Sequence, residues 1–239
     1  LWSREEDLTH DYYRPAMRAV LRAALPEDGL LTGYEFLAAT ADDRTGGSAP
    51  TPYSLKGYAA TLANVKIGVP IGSWRSVDAG MSLFAKESFI DECAHLAEKD
   101  PLAYRDALLG ANERARRVLR AAATAAGWPG AQRDGTGMGV ALLQEWDSIV
   151  AHVIEVEVTG TRLRVKRIVT AMDCGTAVNP QQVRAQPGAG MVEKAVQSLL
   201  DRASGTINFP YQYGEENQPL KYGEGLTSRI IQTRSEERR

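Results

Sequence analysis

The sequence has few of the residues that build metal centres or covalent cross-links. Its 239 residues include only two cysteines, Cys93 and Cys174, and three histidines. Two cysteines are too few for a disulfide scaffold or for an iron–sulfur cluster, which as a rule takes four ligands. The histidines lie far apart, without the close spacing of a zinc site. Both cysteines are therefore predicted to be free, buried thiols.

Long hydrophobic runs and an excess of positive charge are also absent. No run of about 18 apolar residues occurs, so no membrane-spanning helix is predicted. The formal net charge of −2 gives no broad basic field for nucleic acid or an anionic membrane. The first residues, LWSREEDLTH, show neither an initiator Met nor a signal-peptide pattern. We therefore expect the sequence to come from the inside of a larger protein.

What is present is a succession of strand, helix and strand patterns. Two strands are predicted over 17–41, flanking the hairpin signal Asp28-Gly29, and a third extended segment over 58–71. Helices are predicted at 81–97, 101–109 and 112–126, strands at 137–146, 149–158 and 162–172, and a last helix at 180–203. This order predicts an α+β fold. We expect one incomplete domain, with a strand-rich part at 1–77, a helical part at 78–130 and a second strand-rich part with a helix at 131–239.

Three predicted elements carry further detail. The alternation over 149–158 leaves both faces partly apolar, which is typical of an interior strand. In the helix at 81–97, apolar positions such as Leu83 and Ile90 alternate with charged positions such as Lys86 and Glu87, which predicts an amphipathic helix. Gly127 is the expected end of the helix at 112–126.

The first candidate site is the loop at 72–80, which carries Trp74, Arg75 and Ser76 and runs into the helix. Backbone N–H groups at a helix N-terminus lack partners within the helix. They suit an oxo ligand, a phosphate or another anionic oxygen. The alternative is a Trp packed on the core beside a surface Arg.

The second candidate site is the segment DCGTAVNPQQVRAQ at 173–186. A strand ends, Gly175 turns the chain, and Asn179-Pro180 begins a helix that reaches Gln186. This arrangement offers backbone donors and an amide side chain to a polar heterocycle. The alternative is an ordinary connection from strand to helix.

Together the two segments resemble the xanthine dehydrogenase and aldehyde oxidase superfamily, and most of all the large subunit of the bacterial isoquinoline 1-oxidoreductase type. The loop at 72–80 has the aromatic-Arg pair of that branch in Trp74-Arg75. The helix after it repeats the family's rhythm of small, aromatic and acidic residues, at Phe84, Ala85, Glu87, Ser88, Asp91 and Glu92. A departure is Asp78-Ala79, where relatives usually keep a glycine, and a carboxylate there puts an anionic cofactor site in doubt.

The resemblance implies a molybdenum–molybdopterin cofactor, in its cytosine dinucleotide form, shared with other parts of the enzyme. It implies hydroxylation of an N-heterocycle or aldehyde with water as the oxygen source. It also implies as partners an iron–sulfur small subunit carrying [2Fe–2S] clusters and the remaining segments of the large subunit. Cofactor-binding residues carried over are Trp74, Arg75, Ser76, Gly175 and Gln186, with no side-chain ligand to the metal.

The resemblance weakens after about residue 186. Relatives continue with a glycine-rich helix, whereas this sequence has Pro187-Gly188-Ala189-Gly190. The upstream glycine-rich loop and the C-terminal motif with the general-base glutamate have no clear counterpart. Glu224, in Tyr222-Gly223-Glu224-Gly225, is a weak candidate for that base, and its alternative is a surface carboxylate. The alternative function is a truncated, non-catalytic structural or interaction domain.

Overall fold

The computed structural model describes residues 12–41, 51–72, 79–130, 134–179 and 183. Within these ranges the chain forms two three-stranded sheets and three helices, which confirms the predicted α+β fold. The elements are β1 (Met17–Ala24), β2 (Gly33–Thr40), β3 (Gly57–Asn64), α1 (Ala79–Leu96), α2 (Pro101–Leu108), α3 (Glu113–Ala126), β4 (Thr136–Glu145), β5 (Ser148–Thr159) and β6 (Arg162–Asp173). The helix predicted at 180–203 lies outside the described residues, apart from the helical Val183.

The first sheet has the order β1-β2-β3. β1 and β2 pair antiparallel through the predicted hairpin, where Gly29 has a φ of +71° and the Asp28 carboxylate accepts the Leu30 N–H at 3.0 Å. β3 runs parallel to β2, from Gly33 opposite Gly57 to Thr40 opposite Asn64. The strand ends at Asn64, so the extended segment predicted over 58–71 is a strand only in its first half.

The second sheet has the order β4-β5-β6, and both pairings are antiparallel. β5 is therefore the central strand, as the alternation on both of its faces predicted. Ile149, Ala151 and Val153 point one face of β5 into the core. Because both edges of β5 are paired, its backbone groups are satisfied within the sheet.

Capping residues set the ends of α2 and α3. Asn112 caps α3 by accepting the Ala115 N–H, and Gly127 ends it in the left-handed conformation with a φ of 72°. Asp100 caps α2 in the same way, and Pro101 follows at the first helical position. α3 buries a stripe with the spacing of one helix face, formed by Ala115, Val118, Leu119, Ala122, Ala123 and Ala126. The predicted end at Gly127 is confirmed.

One hydrophobic core joins the sheets through the helices, and it includes Phe36 of β2, Phe89 of α1, Leu119 of α3 and Ile149 of β5. None of the helices in the described ranges combines the length and hydropathy needed to cross a bilayer.

Two expectations about individual side chains are wrong. Lys86 and Glu87 of α1 are only 7% and 6% exposed, so the charged face of that helix is partly buried. Both cysteines are free thiols, but only Cys93 is buried. Cys174 is half-buried, because it follows the last residue of β6 where the sheet ends.

Candidate functional site

One of the predicted site residues, Gly175, lies within the described part of the chain. Trp74, Arg75, Ser76, Gln186 and Glu224 lie outside the described residues. Gly175 is described, together with the rest of the exposed segment that follows β6 as far as Asn179. The described part of the candidate site is therefore this segment, 173–179, which we call the β6 loop.

Arg114 of α3 holds the first residue of the β6 loop with three hydrogen bonds. Its Nε donates to Asp173 Oδ2 at 2.9 Å and its Nη2 donates to Asp173 Oδ1 at 2.8 Å. The same Nη2 donates to the Asp173 carbonyl oxygen at 3.3 Å. The hydrogen bonds from Arg114 and from the Gly175 N–H hold the pKa of the Asp173 carboxyl well below its usual range. Asp173 is thus a fixed anion that is neutralised by Arg114.

Gly175 turns the β6 loop with a φ of 70°, a conformation that glycine adopts without strain. Its N–H donates to Asp173 Oδ1 at 3.0 Å, so this amide already has an acceptor. The next three residues, Thr176, Ala177 and Val178, are exposed, and Val178 is 94% exposed. Within the described part of the chain their backbone N–H groups have no hydrogen-bond acceptor.

This arrangement fits a polar, anionic group better than an apolar one. Three consecutive backbone donors, which find no acceptor in the described ranges, lie beside a carboxylate whose charge Arg114 already offsets. No described atom lies within 4 Å of the position that a Cβ on Gly175 would occupy, so the space beside the turn is open. Successive backbone N–H groups that converge on one point bind anionic oxygens. Among the described residues no group of three or more His, Cys, Asp or Glu side chains is placed to hold a metal ion.

A buried ion-pair network fixes α1, the helix that follows the loop with Trp74 and Arg75. Arg105 of α2 is fully buried, and its Nε donates to Glu87 Oε2 at 2.9 Å. Its Nη1 donates to Asp91 Oδ1 at 2.5 Å, and its Nη2 donates to the Glu87 carbonyl at 3.0 Å. The guanidinium therefore binds two successive turns of α1.

Glu87 extends this network to two other parts of the chain. Its Oε1 accepts the Tyr53 hydroxyl at 2.9 Å, and its Oε2 also accepts the Leu142 N–H of β4 at 3.0 Å. Burial opposes the charge on Arg105, but Glu87 and Asp91 hold the pKa of the guanidinium above its ordinary value. We call Tyr53, Glu87, Asp91 and Arg105 the Arg105 network.

Sequence reasoning did not find Arg105 or Arg114. Arg105 is the one arginine of α2, and Arg114 lies in a helix with several arginines. In both cases a solvated side chain is the usual outcome. The acidic residues at 87 and 91 belong to the motif of α1, but the cation that they bind lies on the next helix. Only tertiary structure joins the two.

The chain is similar to subunits of known enzymes of the molybdenum hydroxylase family, which confirms the resemblance that its motifs indicated. The beta chain of isoquinoline 1-oxidoreductase from Brevundimonas diminuta is 26% identical over 226 residues, which cover 84% of this chain and 29% of the relative. One of the subunits of nicotinate dehydrogenase from Pseudomonas putida is 31% identical over 173 residues, which cover 64% of this chain and 14% of the relative. The chain thus spans less than a third of the length of either relative. No family model matches the chain.

Proposed function

We propose that the chain forms part of the cofactor-binding region of a molybdenum hydroxylase large subunit. The parent reaction is hydroxylation of an N-heterocycle or an aldehyde. Substrate C–H and water become C–OH, two electrons and two protons, and the electrons pass to [2Fe–2S] clusters of a partner subunit. The observation that carries this proposal is the β6 loop. Its backbone N–H groups at Thr176, Ala177 and Val178, without acceptors among the described residues, follow Asp173-Cys174-Gly175, part of the segment that resembles the family.

The molybdenum–molybdopterin cofactor supplies two-electron redox chemistry when it is bound, and the chain supplies its position. In this proposal the β6 loop donates backbone N–H groups to pterin oxygens or nitrogens, and Gln186 adds a side-chain amide. The backbone amides of Arg75 and Ser76 would hold anionic oxygens of the cofactor. Trp74 would shape the substrate side, and the Arg75 side chain would fix its loop. Because the Gly175 N–H already donates to Asp173, Gly175 would not bind the cofactor through this group. Its role would be to turn the loop.

The exposed surface of the first sheet supports the proposal that the chain binds partner polypeptides. Every residue of β3 is exposed, including Tyr58 at 41% and Leu62 at 37%. Val65, Ile67 and Val69, which continue the chain, are 46%, 41% and 43% exposed. Apolar strands left open in this way mark interaction surfaces. We propose that the remaining large-subunit segments cover this surface and that an iron–sulfur small subunit completes the complex.

A second candidate is a non-catalytic structural or interaction domain of the same fold. The observation that favours it is the exposed apolar surface of β3, because an interaction domain needs such a surface and needs no cofactor. In that case the exposed β3 surface would bind partners, and the β6 loop would hold no cofactor.

Metal analysis of the purified chain, alone and with every chain that co-purifies, separates the two candidates. Molybdenum near one atom per chain, with the partners identified by mass spectrometry, supports the cofactor-binding role. A stable complex with partners but without molybdenum or molybdopterin supports the non-catalytic domain. A monodisperse monomer with no co-purifying chain would contradict the partners proposed in both cases.

Three substitutions in a loaded complex test the assigned roles. Gln186→Ala should weaken cofactor retention about five- to hundredfold, because a hydrogen-bond partner of the buried pterin is lost. Arg75→Ala should lower the rate of dye-linked substrate oxidation more than Glu224→Ala does. If Glu224→Ala abolishes turnover while the other two variants keep both cofactor and rate, the assignment is wrong and Glu224 is the base.

A further inference from the structure

The geometry points to Arg114 as the positioning residue of the β6 loop, a role that rests on the proposed function and assigns one more residue to it. Arg114 lies in the first turn of α3 and reaches the end of β6, 59 residues further along the chain. Through this side chain, α3 fixes the beginning of the β6 loop.

The contact is a chain of two linked steps. Arg114 binds both carboxylate oxygens of Asp173 and also its carbonyl oxygen, so it sets the rotamer of Asp173 as well as the position of its backbone. The fixed Oδ1 then accepts the Gly175 N–H at 3.0 Å and closes the turn. Beyond that turn come the amides of Thr176, Ala177 and Val178. Arg114 therefore fixes, through Asp173, where these three donors are presented.

An ordinary surface ion pair would explain less of this geometry. Arg114 and Asp173 are 37% and 32% exposed in their side chains, and exposed pairs contribute little to stability. Such a pair does not require the third hydrogen bond, from Arg114 to the Asp173 carbonyl oxygen. It also does not require that Asp173 Oδ1 accept the Gly175 N–H. The expected consequence of losing Arg114 is thus a misplaced loop in a folded chain, rather than an unfolded chain.

The same helix offers a matched control. Arg120 binds both carboxylate oxygens of Asp106 at 2.8 Å each, in an exposed pair that is equally bidentate. Asp106 lies on α2, away from the β6 loop in the sequence of elements. Arg114→Gln and Arg120→Gln remove the same charge and the same kind of contact from one helix. Only the first should affect the loop.

The experiment compares Arg114→Gln, Arg114→Lys and Arg120→Gln in the complex purified with its co-purifying chains. Molybdenum is measured by mass spectrometry and molybdopterin as its fluorescent oxidation product, before and after gel filtration. We expect Arg114→Gln to lose cofactor about ten- to hundredfold more readily, the range found when partners behind the ligands of a metal site are removed. Arg120→Gln should retain it. Arg114→Lys should fail to rescue retention, because an ammonium cannot make the bidentate contact. All three variants should melt within a few degrees of the unaltered complex.

Amide hydrogen exchange of the Gly175 N–H in the same samples separates this proposal from the proposed function. If the unaltered complex contains no molybdopterin, the proposed function fails, and Arg114 is still supported when Arg114→Gln accelerates this exchange and Arg120→Gln does not. Equal exchange in the two variants would overturn the positioning role. Equal cofactor retention in a loaded complex would overturn it as well, while the proposed function would stand.

Discussion

Two regions of the molecule depart from the usual distribution of side chains. Charged side chains are buried in the interior beside α1, and apolar side chains are exposed along β3 and Val65, which we call the margin. In the interior, Arg105 and Glu87 are buried as a charged pair. At the margin, the apolar side chains of Tyr58, Leu62 and Val65 are exposed. The interior charges find their partners within this chain, whereas the apolar margin finds no cover among the described residues. The charged region is thus satisfied within the described residues, and the apolar margin is where we propose that another polypeptide binds.

The margin also has backbone groups that find no partner among the described residues. In a parallel ladder alternate residues bond to opposite sides. The Gly57 and Val65 N–H groups donate to Thr32 and Thr40 on the β2 side, so odd-numbered residues of β3 bond inwards and even-numbered residues point outwards. From 57 to 65 the chain has neither a charged residue nor a proline, the features that usually protect an edge strand.

The largest expected effect comes from breaking the interior. Arg105→Met leaves the buried Glu87 and the half-buried Asp91 without their cation. Removing one member of a buried pair costs about 3–5 kcal/mol. Urea unfolding monitored by circular dichroism measures this loss. Arg120→Met, which removes an exposed arginine, is the control and should lower the midpoint far less. Equal midpoints for the two single variants would show that the Arg105 network does not hold the interior together.

A smaller effect is expected at His152 in β5, a buried polar side chain that is only partly satisfied. Its Nδ1 lies 2.8 Å from Thr170 Oγ1, while its Nε2 has no hydrogen-bond partner in the part of the chain that the structure describes. Burial lowers the pKa of His152 from 6.5 to about 4. Between these two values the unfolded chain takes up a proton that the folded chain does not, so stability is lost as the pH falls through this window. The difference amounts to about 3 kcal/mol.

The measurement is the free energy of unfolding at pH 7, 5.5 and 4. His152→Asn should remove this component of the pH dependence, because the amide does not titrate. His95→Asn, at an exposed position near the end of α1, should leave the profile unchanged. The interpretation fails if the unaltered chain and the His152 variant lose stability in parallel.

The smallest expected effects lie at the margin, where two neighbouring alanines form a matched pair. Ala59→Pro removes an N–H that bonds to β2 and should destabilise the chain by about 1–3 kcal/mol. Ala60→Pro removes an N–H that points outwards, so it should change the unfolding of the isolated chain little. If partners add a strand at this edge, Ala60→Pro should still weaken co-purification. Equal destabilisation by both substitutions in the isolated chain would contradict the deduced direction of the N–H groups.

Elements with local signals were predictable from the sequence. The ends of α3 follow from Asn112 and Gly127, and the interior place of β5 follows from its alternation, because capping and periodicity act over a few residues. The parallel pairing of β3 was not predictable, since no local pattern distinguishes it from antiparallel pairing. The burial of Lys86 and Glu87 was missed because it depends on which elements pack around α1.

The candidate site was predictable only in part. The segment at 173–186 was proposed from its motif and also stays a prediction as a site, and the structure adds the contact with Arg114 that no spacing could indicate. The half of the site at Trp74, Arg75 and Ser76 stays a prediction, as does the role of Gln186. Arg114 and Asp173 lie 59 positions apart, and nothing in either local sequence names the other.

The position of Glu87 has a consequence for the order of folding. Its side chain joins residues that lie 34, 18 and 55 positions away, at Tyr53, Arg105 and Leu142. These contacts form together only after both sheets have docked on the helices, so we expect them to be absent from the folding transition state. Glu87→Gln should then accelerate unfolding while hardly slowing refolding. A chain in which one sheet is docked wrongly would bury the Glu87 carboxylate without its partners. The Arg105 network would thus destabilise incorrectly docked states late in folding.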